Sequence, residues 1–176
     1  MGVNALRANL QEGLQDGDAD ITQKDARAYL DKYFESFSGL AKWIDQTKSD
    51  AARLGYTTTL FGRRRYFEGL QSKLPFIRAA AERMAVNAPV QGSAADIMKL
   101  ATIAADKYLQ DNNLAEDIKL ILQVHDELIF EMPQDSWQST ALEIEKVMEN
   151  VLPSEVSAGV PIIADIKYGT DWASLE

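Results

Sequence analysis

The segment with the clearest chemical potential is His125-Asp126-Glu127, which stands between two apolar runs. A carboxylate beside buried apolar residues is costly unless it is paired or holds a cation. Asp126 and Glu127 offer oxygen ligands only, which suit Mg²⁺ or Mn²⁺ better than zinc. A pair of such ions can assist an in-line displacement at phosphorus. The alternative is an ordinary exposed turn, since acidic residues are common at hairpin tips.

Residue counts narrow the chemistry of this segment. The chain has 176 residues, no cysteine and one histidine. Disulfides and thiolate metal sites are therefore excluded, as is a zinc site built from several histidines. The pair His125-Asp126 does not match metal-dependent phosphohydrolases, because their sites need further histidines. No apolar run approaches the roughly 18 residues of a membrane span, so we expect no membrane partner. The absence of cysteine fits a reduced, cytoplasmic setting.

A second group of side chains recurs every four residues: Arg83, Asn87 and Gln91. On a helix they would form one stripe, and all three can donate hydrogen bonds. The DNA minor groove presents acceptors at every base pair, nearly independent of sequence. The stripe therefore suits a protein that checks duplex geometry, although an ordinary solvent-facing surface is the alternative. Pro89 is expected to interrupt the helix beside the stripe, which favours a shaped functional surface.

The charge of the chain is unevenly distributed. The net charge of −9 disfavours a nucleic-acid partner, yet the stretch from Arg53 to Arg83 holds seven basic and two acidic residues. Such asymmetry indicates one cationic surface on an acidic body. The alternative is a solvated face whose charges are paired with acidic neighbours.

The elements that must position these groups are helices in the first half and a mixture in the second. Helical patterns cover residues 4–14, 38–54, 136–151 and about 76–109, the last with a break at Pro89. A further helical segment starts after Thr22, which is its predicted N-cap. Strand patterns cover residues 56–61, 119–124, 128–132 and 161–166. The buried side of the third helix should comprise Leu40, Trp43, Ile44 and Ala51. The combination predicts an α+β fold with an antiparallel sheet packed with long helices.

Several motifs, in the right order, resemble the family A DNA polymerases of the bacterial DNA polymerase I type. The longest runs from Arg78 to Asp96, and it is followed by Gln123–Glu127. Thr59–Tyr66 and Tyr168–Trp172 are also similar, so the resemblance covers essentially the whole chain. It implies partial palm and fingers of a right-hand polymerase. Residues 1–75 would hold the remaining fingers helices and a basic hairpin, and residues 76–176 a palm portion with its hairpin and C-terminal strand.

The resemblance also implies roles at the acidic segment. Asp126 matches one of the two metal-binding palm aspartates, and Glu127 matches its acidic neighbour with a supporting catalytic role. His125 matches a histidine that contacts the primer terminus. The implied cofactor is Mg²⁺ in a two-metal site that is only partly present here. The implied partners are primer–template DNA and a deoxynucleoside triphosphate (dNTP).

For DNA binding, the resemblance implies that Arg83, Asn87 and Gln91 line the minor groove of the primer–template. The basic residues Arg63, Arg64 and Arg65 would contact phosphates. Arg63, Arg64, Arg65 and Arg83 belong to the cationic stretch on an otherwise acidic chain.

The chain departs from the family pattern at its start. Met1-Gly2 matches the point just after the nucleotide-binding fingers helix, so we expect that helix, the upstream palm segment, the thumb and any exonuclease domain to lie outside this chain. Neither Asp165 nor Asp171 matches the other catalytic aspartate. We therefore expect DNA synthesis, in replication and repair, only together with the missing N-terminal part. The alternatives are a DNA-binding or assembly module of a split polymerase, and an inert fragment.

Overall fold

The computed structural model describes residues 2–13 and 20–175. Its α-helices are α1 Val3–Glu12, α2 Gln23–Ser36, α3 Ser38–Leu54, α4 Pro75–Asp111, α5 Trp137–Glu149 and α6 Ser154–Ser157. Its strands are β1 Tyr56–Thr58, β2 Arg64–Tyr66, β3 Lys119–Val124 and β4 Glu127–Glu131, and its short 3-10 helices are Glu68–Gln71 and Trp172–Ser174. The strands form two two-stranded sheets, β1–β2 and β3–β4. Long helices with small sheets confirm the predicted α+β class.

Chain contacts divide the molecule into two units. One comprises Met1–Thr57 and Tyr66–Val86, and the other comprises Thr58–Arg65 and Asn87–Glu176. The division passes through the β1–β2 hairpin and through α4, so both elements contribute residues to each unit.

The first unit confirms two predicted helix boundaries. At the start of α2, the Thr22 hydroxyl accepts from the Asp25 amide at 3.2 Å, and the Asp25 carboxylate accepts from the Thr22 amide at 2.9 Å. This reciprocal capping box satisfies two backbone donors that the helix leaves unpaired. Gly55 ends α3 with φ +80°, a left-handed conformation that glycine adopts without steric cost. The first helix was predicted to reach Leu14 but ends at Glu12, and Leu14 lies outside the described residues.

The predicted buried side of α3 is largely wrong. Ala51 is fully buried, but Leu40 is 38% exposed, Trp43 is 39% exposed and Ile44 is only half-buried. Helical spacing identifies an apolar face but does not specify which element covers it.

The first predicted strand is shorter in the structure, because a tight turn follows β1. The Gly62 amide donates to the Thr59 carbonyl at 2.9 Å, and the Thr59 amide donates to the Arg63 carbonyl at 2.9 Å. Gly62 has φ +80°, which its missing side chain permits. In the predicted basic hairpin, Arg63 therefore closes the turn, whereas Arg64 and Arg65 lie in β2.

Helix α4 does not break at Pro89, contrary to the sequence-based expectation. The helix is 37 residues long and passes through Pro89 without interruption. Proline removes one backbone donor and displaces a carbonyl, but the alanine-rich turns on both sides have high helix propensity. Fully or nearly fully buried alanines recur along the helix at Ala81, Ala85, Ala88, Ala101 and Ala105.

The second unit has a small apolar core where the C-terminal end of α4, the hairpin and α5 meet. Its buried members are Ala105, Leu109, Ile118 and Ile144, and the partly buried Phe130 and Met148 pack against them. Strands β3 and β4 pair antiparallel, and β4 begins one residue earlier than predicted. The prediction that both strands are buried is wrong for β3, whose Ile121 is 56% exposed. The core packs against only one face of this two-stranded hairpin, so the other face stays exposed.

The predicted strand at residues 161–166 does not form in the part of the chain that the structure describes. The segment lies along α5, where the Ala164 amide donates to Glu149 Oε1 at 3.2 Å. The Tyr168 ring stacks on Trp137 with centroids 4.6 Å apart. Alternating burial explains the strand pattern in the sequence, since Ile162 is half-buried and Ile163 is 73% exposed. Among the described residues, no helix is both long and apolar enough to cross a membrane.

Candidate functional site

The acidic segment forms the tip of the β3–β4 hairpin. Val124 pairs with Glu127, so the loop consists of His125 and Asp126, and Glu127 is the first residue of β4. His125 has φ +50°, a left-handed conformation that is uncommon for a residue with a side chain. The side-chain amide of Gln123 donates to the His125 carbonyl at 2.8 Å. His125, Asp126 and Glu127 are all exposed, so each is available to a ligand.

The donor chemistry of this tip fits a hard cation. Two adjacent carboxylates provide the oxygen ligands that Mg²⁺ prefers, but they supply only part of an octahedral shell. Within residues 2–13 and 20–175, no group of three or more His, Asp or Glu side chains is placed to hold a metal. That Asp126 and Glu127 bind a metal stays a prediction.

The predicted polar stripe lies within the continuous helix α4. Arg83, Asn87 and Gln91 are all exposed, and their spacing of four places them on one side of the helix. The structure thus places these side chains where solvent or a ligand can reach them. Their contact with DNA stays a prediction.

Arg63 makes two contacts with the second unit's part of α4. Its Nε donates to Asp96 Oδ1 at 2.8 Å, and its Nη2 donates to the Gly92 carbonyl at 3.1 Å. The same turn is held by Ser93, whose hydroxyl accepts from the Leu60 amide at 2.8 Å. These three contacts attach the turn that follows β1 to one stretch of helix.

Asp96 is the acidic centre of this attachment. Its side chain is 12% exposed, whereas that of Arg63 is 49% exposed. Burial raises the pKa of Asp96, but hydrogen bonds from Thr59 and Arg63 and the charges of Arg63 and Lys99 outweigh burial, so the pKa lies below its ordinary value. The carboxylate is therefore held ionised by its neighbours.

Gly92 allows the turn to approach α4 closely. A Cβ at this position would lie 2.6 Å from Thr59 Cγ2 and 3.4 Å from Arg63 Nη2. The contacts made by Asp96, Ser93 and Gln123 were not predicted from the sequence. Asp96 offered one signal, because it is a single acidic residue in an apolar, alanine-rich part of a helix.

Comparison with known proteins finds one family over nearly all of the chain. The model of DNA polymerase family A matches residues 8–174. DNA polymerase I of Pseudomonas aeruginosa is 41% identical over 155 residues, which is 86% of this chain and 16% of the relative. The thermostable DNA polymerase I of Thermus aquaticus is 41% identical over 154 residues, which is 88% of this chain and 18% of the relative.

The fold gives the same result. The polymerase domain of Pol1 from M. smegmatis, solved in complex with DNA primer-template and dNTP, superimposes with a TM-score of 0.80 and 36% sequence identity. The match covers 97% of this chain and 30% of that structure. The chain thus spans less than a third of the solved domain and less than a fifth of the curated relatives named above. With a family match over nearly all of its residues, this chain belongs to DNA polymerase family A.

Proposed function

We propose that this chain takes part in template-directed DNA synthesis, in replication and repair, as one portion of a family A polymerase. The observation that carries the proposal is the family match over residues 8–174 combined with the exposed carboxylates at the hairpin tip. Family membership supplies the reaction class, and the tip supplies side chains of the required chemistry. A cytoplasmic setting is part of the same proposal.

In the proposed reaction, the primer 3′-oxygen forms a bond to the α-phosphorus of a dNTP. The bond from that phosphorus to the bridging oxygen breaks, and pyrophosphate leaves. Asp126, supported by Glu127, would hold Mg²⁺ beside the phosphates. When bound, Mg²⁺ neutralises charge on the attacking and leaving oxygens. The exposed imidazole of His125, one residue before Asp126, would contact the primer terminus.

The exposed stripe on α4 would contact the DNA duplex. Arg83, Asn87 and Gln91 would donate hydrogen bonds to minor-groove acceptors, which recur at every base pair. Arg64 and Arg65 would contact phosphates from β2, and the same contact was predicted for Arg63. Donors of this type recognise duplex geometry without selecting a base sequence.

We also propose that the site is shared with polymerase segments beyond these residues. The chain corresponds to 16% and 18% of the two relatives, and its acidic tip offers two carboxylates for a metal shell of six ligands. On this proposal residues 1–75 belong to the fingers and residues 76–176 to the palm. The chain alone would not extend a primer.

A second candidate is a DNA-binding or assembly role without chemistry. The observation that favours it is that the described residues hold no group of three or more metal-capable side chains. On this view the chain would bind primed DNA or join the rest of a polymerase, and Asp126 would be dispensable.

The test is primer extension on a primed template with Mg²⁺. The 176-residue chain is assayed alone and within the polymerase that contains it, or after mixing with the remaining polymerase segments. We expect extension only in the second case, and its loss in Asp126→Asn. Asp135→Asn, the same chemical change at another exposed site of the second unit, is the control. Normal extension by Asp126→Asn would favour the second candidate instead.

A further inference from the structure

In the structure, Arg63 binds acceptors of the protein itself, which compete with the phosphate contact predicted for it. Its guanidinium donates to both Asp96 and the Gly92 carbonyl on α4, at 2.8 and 3.1 Å. A guanidinium presents several donors in a rigid fork, so it can hold two acceptors in a fixed geometry. Two of these donors are therefore directed toward the protein itself.

The partner carboxylate of Asp96 is more buried than the guanidinium of Arg63, so it depends more on the ion pair. The Asp96 side chain is only 12% exposed, and a nearly buried carboxylate without its cationic partner is destabilising. Opposite this ion pair, the Leu60 amide donates to Ser93 Oγ, and the turn from Thr59 to Arg63 is closed by its own backbone hydrogen bonds. The turn is thus a compact unit fastened to α4 at Gly92, Ser93 and Asp96.

The attachment point is next to a residue of the proposed DNA-binding stripe. Gly92 follows Gln91 directly, and its carbonyl accepts from Arg63. Along the chain, Arg63 is followed directly by Arg64 and Arg65 of β2. The same guanidinium therefore links a residue adjacent to the stripe with the start of the strand that carries the two other arginines.

We infer that Arg63 is a positioning residue for DNA binding, which fastens the Thr59–Arg63 turn to Gly92 and Asp96 beside Gln91, and is not a phosphate ligand. The inference rests on the proposed function, because it concerns how this surface meets DNA. It assigns Asp96 and Gly92 to the same device, although neither would touch DNA. The alternative is that Arg63 leaves Asp96 to bind a phosphate.

The two possibilities predict opposite effects for the partner residue. If Arg63 binds phosphate, Asp96→Asn releases it and strengthens DNA binding. If Arg63 positions the turn, the single substitutions Asp96→Asn and Arg63→Gln each weaken DNA binding, on the order of tenfold. Gly92→Ala separates geometry from charge, because its Cβ would meet Thr59 at 2.6 Å while every charge is retained. We expect Gly92→Ala to weaken binding as well.

The measurement is fluorescence anisotropy of a labelled primed duplex with the 176-residue chain over a series of salt concentrations. Loss of one phosphate contact lowers the slope of log affinity against log salt by about 1. We expect this decrease for Arg64→Gln and an unchanged slope for Arg63→Gln, Asp96→Asn and Gly92→Ala. Lys107→Gln is the matched control, since it removes one positive charge from an exposed ion pair with Asp111 on the same helix.

Circular dichroism verifies that each variant is folded. If Arg63→Gln does not fold, the more conservative Arg63→Lys replaces it. A lysine keeps the charge but cannot hold both acceptors, so we expect intermediate affinity with an unchanged slope. A slope reduced by about 1 in Arg63→Gln, with normal binding by Gly92→Ala, would overturn the inference. Absence of DNA binding by the unsubstituted chain would count against the proposed function. The fastening itself would then be judged by whether Arg63→Gln and Asp96→Asn have non-additive effects on unfolding, and additivity would overturn it.

Discussion

Gln123 and His125 are joined at the tip of the β3–β4 hairpin, where the Gln123 side-chain amide donates to the His125 carbonyl at 2.8 Å. His125 has φ +50°, and a residue with a Cβ adopts this region at a cost of about 1 kcal/mol. The hydrogen bond from Gln123 offsets part of that cost. The residue that carries this strain immediately precedes Asp126.

Gln123→Glu is expected to destabilise the hairpin, because the substitution removes the amide donor and places an acceptor beside the His125 carbonyl. The loss should be about 1 kcal/mol in the free energy of unfolding, typical of one hydrogen bond. Hydrogen exchange of the β3 and β4 amides measures it locally. Gln138→Glu, an exposed position of α5, is the control. Unchanged exchange in Gln123→Glu would show that the contact contributes nothing to the tip.

His125→Val should destabilise the chain by about 1–2 kcal/mol, because a β-branched residue is poorly accommodated at positive φ. His125→Asn should be close to neutral for stability, since asparagine adopts this region readily. Thermal unfolding of both variants distinguishes the backbone effect from the loss of imidazole. If His125→Asn remains stable yet binds primed DNA more weakly, the side chain acts on the ligand. Equal stability of the two variants would contradict the strain argument.

Pro89→Ala should stabilise α4 by up to about 3 kcal/mol, because it restores a backbone donor and removes the steric conflict with the preceding turn. Urea denaturation of the chain measures the change. Val90→Ala, at an exposed neighbouring position, controls for a general gain in helix propensity. A stability equal to that of the unsubstituted chain would mean that the helix accommodates the proline without cost.

The stabilising effect of Asp96 should depend on pH. Its pKa is lower in the folded chain than the ordinary value of 3.8, because the hydrogen bonds and charges of its neighbours outweigh the opposing effect of burial. A lowered pKa contributes stability above the unfolded value, and that contribution disappears as the pH falls through the folded value. The difference in unfolding free energy between the unsubstituted chain and Asp96→Asn should therefore be constant from pH 7 to about pH 5. It should shrink below pH 3.8, and a difference that grows on acidification would contradict the assignment.

Local patterns predicted the elements well where the signal is short-range. The Thr22 cap, the end of α3 at Leu54 and the bounds of β3 depend on residues within a few positions of one another, and all three are confirmed. The break at Pro89 is wrong because the alanine-rich turns on both sides favour the helix strongly enough to continue it. The strand at residues 161–166 is wrong because an alternating segment needs a strand partner, which depends on neighbours distant in sequence.

The family, the capping of the helices and the acidic and polar side chains could be identified from the amino-acid sequence alone, because motifs and caps are properties of consecutive residues. The contacts of Arg63 with Asp96 and Gly92, about thirty positions away, became visible in the folded chain, as did the placement of Asp126 in the turn and Glu127 at the start of a strand. Contacts between residues so far apart follow from packing and hydrogen-bond geometry, which no local pattern encodes. For that reason the basic triplet, uniform in sequence, divides in the fold into one arginine fastened to a helix and two carried on a strand.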